Sequence, residues 1–385
     1  MAQDWREGGF GLYIHWPFCS AKCPYCDFNS HVSGQIDQSQ WAQAYLSEIA
    51  RLGQETEGRI LDSVFFGGGT PSLMNPDLVD AVIAAIRRAW PMRNDPEITL
   101  EANPTSIEAG RFRAYREAGV TRISMGMQAM NDQDLRRLGR MHSAAEAMAA
   151  FDIARSQFDR VSFDLIYARQ DQTLANWRAE LCRALDLAVD HLSLYQLTIE
   201  DGTAFGARHA AGGLRGLPGD DLAADLYALT QDLTAQHGFH SYEISNHARE
   251  GAASRHNLVY WRGGDYLGIG PGAHGRLTLN GTRWATECPK NPEAWLLSAL
   301  GGGATELARE ALTPEGHATD YLMMSLRLAE GMSLPRYNAL SPTPLNMAEV
   351  DDLARMGLLD MAENRIFATD SGKIVLNAII RQLLA

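Results

Sequence analysis

Residues 13–26 read Tyr13-Ile14-His15-Trp16-Pro17-Phe18-Cys19-Ser20-Ala21-Lys22-Cys23-Pro24-Tyr25-Cys26, a β-like run passing into a loop that holds three of the chain's five cysteines. The CxxxCxxC spacing would put the three thiols on one face of a helix, but Pro17 and Pro24 oppose a helix there, because proline lacks a donor and clashes with the preceding turn. A compact loop is expected, and three thiols on one loop point to metal. Two metal readings follow from the residues. Zinc would take Cys19, Cys23 and Cys26 with His15 or His31 as fourth ligand, since it favours four closed sulfur and nitrogen ligands. An iron–sulfur cube would take one thiolate at each of three irons and leave the fourth iron open. Cys182 and Cys288 lie outside any ligand spacing and read as buried or half-buried thiols. An odd, clustered set does not make a disulfide framework.

Outward from this loop, β-branched or aromatic runs alternate with longer segments of helical period. The runs are 12–15, 63–66, 98–101, 122–125, 161–166 and 192–197. Apolar residues at helical spacing, such as Leu78, Val82, Ile83 and Ile86, fill the intervals. Pro76 and Gly119 stand where a helix start and a helix end favour them. Six strands alternating with helices predict an α/β fold, a parallel sheet wound by right-handed crossovers into an open or closed barrel. Its site is expected at the carboxyl ends of the strands. One run there is Gly67-Gly68-Gly69-Thr70-Pro71, bare backbone able to approach a ligand closely; alone, it is equally a tight turn.

Residues 203–218 read as a loop, 219–237 as a helix, and the glycine-rich 263–275 as the close of the first domain. That domain is expected over 1–285, and a smaller, mainly helical, winged-helix-like domain over 286–385. The second shows helical patterns over 314–328, 335–340 and 348–356, short runs around Leu359 and Ile366, and a last helix after Asp370. From Thr313 onward, six Lys+Arg against nine Asp+Glu disfavour DNA binding, leaving a packing or lid role. The 385-residue chain carries 34 Lys+Arg and 47 Asp+Glu, a formal charge of −13 that excludes an electrostatic binder of nucleic acid or an anionic leaflet. With 45% hydrophobic and 21% charged residues, it can build a full core. No apolar stretch reaches the roughly 18 residues of a membrane span. Asp4, Arg6 and Glu7 stand where an export signal would be apolar, so a cytoplasmic location is expected.

The cysteine loop on the first strand, with the glycine run after the second, resembles the radical S-adenosylmethionine (SAM) enzymes. Further motifs make the chain similar, over nearly its whole length, to the group containing oxygen-independent coproporphyrinogen III oxidase and the HemW-type heme chaperones. The resemblance implies a partial (β/α)6 TIM-like barrel, and that Cys19, Cys23 and Cys26 hold a [4Fe-4S] cluster whose open iron takes SAM through its amino and carboxylate groups. It implies that Tyr13 lies against SAM, that Tyr25 joins the cofactor contacts, and that Gly68, Gly69 and Thr70 line the cofactor path. Glu101 in Leu-Glu-Ala-Asn-Pro, Gln128 in Ser-Met-Gly-Met-Gln, Arg140 twelve residues on, and Asp164 in Phe-Asp-Leu-Ile-Tyr match the polar contacts. A carboxylate facing an amino group and an arginine facing a carboxylate are charge-matched; singly, each would be an ordinary surface group. The chain departs from the family after Asp164, where Gly-Leu-Pro-Gly-Gln-Thr is usual and Ala168-Arg169-Gln170-Asp171-Gln172-Thr173 stands instead. The turn loses its proline and both glycines.

Within the group, the oxidase pattern carries another cysteine two residues after the third, where this chain has Phe28. The oxidase also has a long N-terminal segment that holds the porphyrinogen, and only 12 residues precede Tyr13 here. Arg255-His256-Asn257-Leu258-Val259-Tyr260-Trp261 matches the HNxxYW motif of the chaperone branch. That match implies heme ligated by His256, with Tyr260 and Trp261 against the macrocycle; outside this context the motif is a loop histidine beside two core aromatics. Residues 194–200, 242–245 and 268–275 match as well. Strand packing is expected of the first two, and close backbone approach to the cofactor or a neighbouring strand of the third. The chaperone branch implies delivery of heme to a respiratory or other hemoprotein, membrane contact only through that partner, and a monomer or cluster-dependent dimer. The rival is oxidative decarboxylation of coproporphyrinogen III propionates.

Overall fold

A computed structural model describes residues 3–385; Met1 and Ala2, with which the expected first domain begins, lie outside the described residues. The six expected strands are β1 Phe10–Trp16, β2 Leu61–Gly68, β3 Met92–Ala102, β4 Arg122–Gln128, β5 Arg160–Tyr167 and β6 His191–Gln196. Each pairs in parallel with the next. Between them the chain returns through α1 Gln38–Glu55, α2 Pro76–Ala89, α3 Phe112–Ala118, α4 Asp132–Arg137, α5 Ala144–Gln157 and α6 Leu174–Leu187. Pro76 occupies the first turn of α2, and Gly119 ends α3 at φ +108°. The strands are covered on both faces: along β1 only Tyr13 is less than fully buried. That is why they read as near-continuous apolar runs.

The sheet continues past these six. β7 His240–Ser241, β8 Asn246–Ala248, β9 Asp265–Ile269, β10 His274–Leu279, β11 Thr282–Glu287 and β12 Glu310–Ala311 complete the order β12-β11-β10-β9-β1-β2-β3-β4-β5-β6-β8-β7. β9 joins β1 in parallel, and the other additions pair antiparallel. The 263–275 stretch therefore holds β9 and the start of β10, where the sequence reads as glycine-rich closure. A Cβ on Gly268 would lie 2.2 Å from His274 O, and one on Gly270 2.3 Å from His15 O. Neighbouring backbones come too close for side chains, and the apolar alternation that marks a strand is erased. The 203–218 stretch contains a helix, α7 Ala204–Ala210, capped by Thr203 Oγ1 accepting from Gly206 N at 3.0 Å. Seven residues beside glycines are too few for a periodic signal. The expected helix follows as α8 Asp220–Gln236, and α9 Arg255–Trp261 lies between β8 and β9.

Packing divides the chain later than residue 285. One apolar cluster runs through the barrel and includes Cys288, Trp295 and Ala299. Trp295, on α10 Pro292–Leu300, stacks on Trp41 of α1 with ring centroids 5.5 Å apart. The second cluster starts at Ala318. Residues 286–311, assigned from sequence to the C-terminal domain, thus pack with the barrel; the pattern changes where parallel strands stop, before the first core ends. Beyond them α11 Pro314–Ser325, β13 Met332–Ser333, α12 Leu334–Leu340, α13 Met347–Arg355, β14 Leu359–Ala362 and β15 Arg365–Ala368 follow in winged-helix order. β13, not anticipated, completes a sheet ordered β13-β15-β14, and the last helix is split into Asp370–Ile374 and Leu376–Leu383.

Candidate cofactor cavity

A cavity of 540 Å³ opens at the carboxyl ends of the barrel strands. Its walls include Cys19, Cys23, Tyr25, Cys26, Gly68, Gly69, Thr70, Glu101, Gln128, Arg140 and Asp164. The cysteine loop is docked by backbone: Gly69 N donates to Trp16 O at 2.7 Å and Thr70 N to Phe18 O at 2.8 Å. Gly68 sits at φ +110°, and a Cβ there would lie 2.5 Å from the His15 ring. The glycine run lets the end of β2 reach the loop. Asn29 fastens its other side, donating to Pro271 O and Lys290 O at 2.9 Å each.

Thr70 Oγ1 donates to Cys19 Sγ at 3.4 Å, and Arg140 Nη1 donates to Cys23 Sγ at 3.1 Å. Burial pushes the Cys19 and Cys26 thiols up; at Cys19 the Thr70 hydroxyl and the Arg140 charge oppose it. His15, weighed as a zinc ligand, has both ring nitrogens engaged: Nε2 donates to Asn29 O at 2.9 Å and Nδ1 accepts from the Tyr13 hydroxyl at 3.1 Å. His31 Nε2 meets Asn29 Oδ1 at 3.2 Å. Among the described residues, no three His, Cys, Asp or Glu side chains converge as a single metal ion requires. Thiols spread around a loop suit a cluster, in which each takes its own iron.

Deeper in, Glu101 Oε2 accepts from Gly68 N at 3.2 Å, and Gln128 Nε2 donates to Asp164 Oδ2 at 2.8 Å. Burial, with Asp164 nearby, pushes Glu101 up to about 8. Burial likewise pushes Asp164 up to about 6, against the pull of Gln128 and Arg140. Among the described residues, Asp164 Oδ1 and Gln128 Oε1 have no donor, and Arg140 Nε has no acceptor. Buried polar atoms are seldom left this way. The two acceptors call for a ligand with donors or positive charge, and Arg140 calls for an anionic group. The ammonium, hydroxyls and carboxylate of SAM fit that set.

The remaining expected residues lie elsewhere. Tyr13 is not part of the cavity wall; its ring stands 6.3 Å from that of Phe65 and 6.4 Å from that of His256. His256, Tyr260 and Trp261 belong to α9, which covers the amino end of the barrel. His256 is 2% exposed, with Nδ1 bonded to Ser63 Oγ and Nε2 to the Tyr260 hydroxyl, both at 2.9 Å, and its amide donating to Glu97 Oε1 at 3.0 Å. Burial pushes the imidazole down to about 3, so it is neutral. In this conformation His256 offers no free nitrogen to a heme iron. Trp261 is half-buried at the helix end.

Residues 13–179 match the sequence profile of the Radical SAM superfamily. Radical S-adenosyl methionine domain-containing protein 1, mitochondrial, of Bos taurus is 37% identical over 97% of this chain and 87% of its own length. Heme chaperone HemW of Escherichia coli is 36% identical, over 97% and 98%. The chain belongs to the radical SAM superfamily, in its HemW group. The structure of coproporphyrinogen III oxidase (HemN) from Escherichia coli shares the fold, with TM-score 0.82 and 23% identity over 99% of this chain and 91% of that one. Radical SAM membership implies a [4Fe-4S] cluster and SAM. When bound, the cluster supplies one-electron chemistry. Among the described residues, no helix is long and apolar enough to cross a membrane.

Three further parts of this radical SAM cavity had no role assigned from sequence. Asn103, two residues after Glu101, joins both walls: Nδ2 donates to Thr70 Oγ1 at 3.2 Å, and Oδ1 accepts from Arg140 Nη2 at 2.7 Å. It stood inside the quoted Leu-Glu-Ala-Asn-Pro motif, which was the available signal. Tyr195, from a stretch expected only to pack, keeps 41% of its surface open and lines the cavity. Ile244 and Ser245 line it too, while Tyr242 braces α9 by accepting from Asn257 Nδ2 at 3.0 Å.

Proposed function

We propose that the chain is a heme chaperone. It holds a [4Fe-4S] cluster on Cys19, Cys23 and Cys26, binds SAM against Glu101, Gln128, Arg140 and Asp164, and passes heme to an acceptor hemoprotein. The observation that carries this reading is the near-complete alignment with HemW of Escherichia coli, 36% identity over 97% of this chain. The cavity supports the cofactor half. Arg140 keeps its charge beside Cys23 and has Nε free for the SAM carboxylate; Asp164 and Glu101 balance the ammonium; Gly68, Gly69 and Thr70 bring backbone to the cluster. Tyr25 backs the loop against Phe205, ring centroids 6.3 Å apart. Phe28, where the oxidase pattern has its extra cysteine, is 58% exposed at the cavity mouth.

The heme half concerns α9. For His256 to meet iron, Nε2 exchanges the Tyr260 hydroxyl for the metal, and the neutral ring that burial enforces is the form that ligates. Tyr260 and Trp261 then turn to the macrocycle, so heme entry opens α9. The acceptor is a respiratory or other hemoprotein reached in the cytoplasm, through which any membrane contact runs, and the chain acts as a monomer or cluster-dependent dimer. The test is anaerobic reconstitution with iron and sulfide, then hemin titration of wild type, His256→Ala and Trp261→Ala in the Soret region, with a parallel coproporphyrinogen turnover assay. Stoichiometric heme, a Soret band moved by His256→Ala, and no turnover are expected. Turnover without specific heme binding overturns the reading in favour of the oxidase. Heme binding indifferent to both substitutions removes α9 as the heme site.

A further inference from the structure

Gln128 ends β4 in a backbone conformation that side chains rarely adopt. Its φ is +59°, and Ala129 N donates to Met127 O at 2.8 Å, closing a three-residue turn around it. β4 also slips register against β5 here. This turn carries the side chain that meets Asp164. Such strain persists only where the surroundings over-determine it, and the group that does so is Arg169.

Arg169 is 4% exposed. Its Nη1 donates to Ile166 O at 2.8 Å and to Gln128 O at 3.4 Å. Its Nη2 pairs with Asp134 Oδ2 at 3.0 Å and with Glu180. Glu180 Oε1 in turn accepts from Met130 N at 2.7 Å. One guanidinium therefore grips the strained turn from both sides, the Gln128 carbonyl directly and the Met130 amide through Glu180. Its own segment is strained as well: Ala168 and Asp171 have φ of +57° and +56° with no glycine to relieve them. Polar contacts hold that segment, Arg169 N to Gln172 Oε1 at 3.2 Å and Asp171 N to Gly216 O at 2.7 Å. The planar fork reaches the two carbonyls with Nη1 and the two carboxylates with Nη2, whereas a lysine offers its three donors from a single nitrogen and cannot span both positions.

We propose that Arg169 is a positioning residue for the cofactor cavity: by holding the Gln128 turn and the end of β5, it sets where the Gln128 amide, and through it the Asp164 carboxylate, meet SAM. Arg169 is not itself in the cavity wall. The inference rests on the reading that this cavity holds SAM.

The test measures SAM dissociation constants by equilibrium dialysis on cluster-reconstituted wild type, Arg169→Lys, Gln128→Ala and the double variant, with iron, sulfide and Tm alongside. Arg169→Lys is expected to weaken SAM about tenfold at unchanged iron and sulfide, and to add less than about twofold in the Gln128→Ala background, where the group it positions is gone. Asp134→Asn removes one partner of Arg169 and is expected to show the same pattern at about threefold; it decides the matter if Arg169→Lys does not fold. Full additivity with Gln128→Ala, or a lowered Tm with unchanged affinity, overturns the proposal. If cluster-loaded wild type binds no SAM, or Gln128→Ala and Asp164→Asn leave its affinity unaltered, the reading of the cavity fails and the proposal falls with it.

Discussion

Glu97 and Glu101 stand on the same strand, β3, and by its alternation on the same face. At the amino end, Glu97 pairs with Arg160 at 3.1 Å, lies 3.7 Å from Arg122, and accepts from Ser254 Oγ at 3.2 Å and from the His256 amide. Burial works against its charge, yet Arg122 and these donors hold the carboxyl below its ordinary range. At the carboxyl end, Glu101 has one backbone donor and no ion-pair partner among the described residues, and burial drives it up to about 8. A carboxylate matched from within is part of the scaffold. One left unmatched beside unpartnered neighbours is reserved for something that binds.

The largest way to break that contrast is to exchange the fates of the two ends. Cys23→Ser is expected to abolish retained iron and sulfide while leaving the urea midpoint nearly unchanged. Glu97→Gln is expected to keep the cluster and lose about 3–5 kcal/mol, because Arg122 stays buried without its counter-charge, while Arg160 retains Asp190. A cluster lost in Glu97→Gln and kept in Cys23→Ser would reverse the assignment.

Titration sharpens the comparison with a smaller effect. Glu101 folds with its value raised above the unfolded one, so the folded state holds more protons between about 4.5 and 8 and stability falls as pH rises through that window. Asp164 adds in the same sense up to about 6. His256 is depressed from 6.5 to about 3, so the unfolded state holds more protons there; its contribution is complete above 6.5 and is lost as pH falls toward 3. Chemical denaturation of the cofactor-free protein should show the alkaline loss, most of it removed by Glu101→Gln. Substitution at His256 should remove part of the acid loss; Glu97 and the buried His142 and His247, also depressed by their surroundings, supply the rest. The smallest effect belongs to Arg255, adjacent to His256 in sequence, whose exposed pair with Asp95 spans 2.8 Å. Arg255→Ala should change stability by less than about 0.5 kcal/mol, separating nearness to the motif from membership of its network.

Sequence patterns recovered the six central strands because burial on both faces makes each an apolar run, and the cavity because its groups sit on motifs at the ends of those strands. What escaped them has physical causes. β9 and β10 are strands whose glycines admit close backbone approach, and so carry no alternation. β13 has two residues. Trp295 looks like the start of a second domain until it is seen stacked on Trp41. Tyr13, expected beside SAM, is not in the cavity wall, because position in the sequence cannot tell how deep in a barrel a side chain will sit. Arg169 reads as a departure in a turn, because its five neighbours come from four segments that only the fold brings together.

The parallel pairing of β1 with β9 bears on how the chain is made. β1 lies between β2 and β9, with Phe10 opposite Asp265. A chain emerging from its amino end therefore presents one edge of its first strand, with the cysteine loop attached, until residues near 265 have been synthesised. That edge is a template for wrong pairing, and a contact so distant along the chain forms slowly. Misassembly during biosynthesis should therefore begin at β1, and truncations that remove β9 should aggregate before they lose the ability to form the other strands.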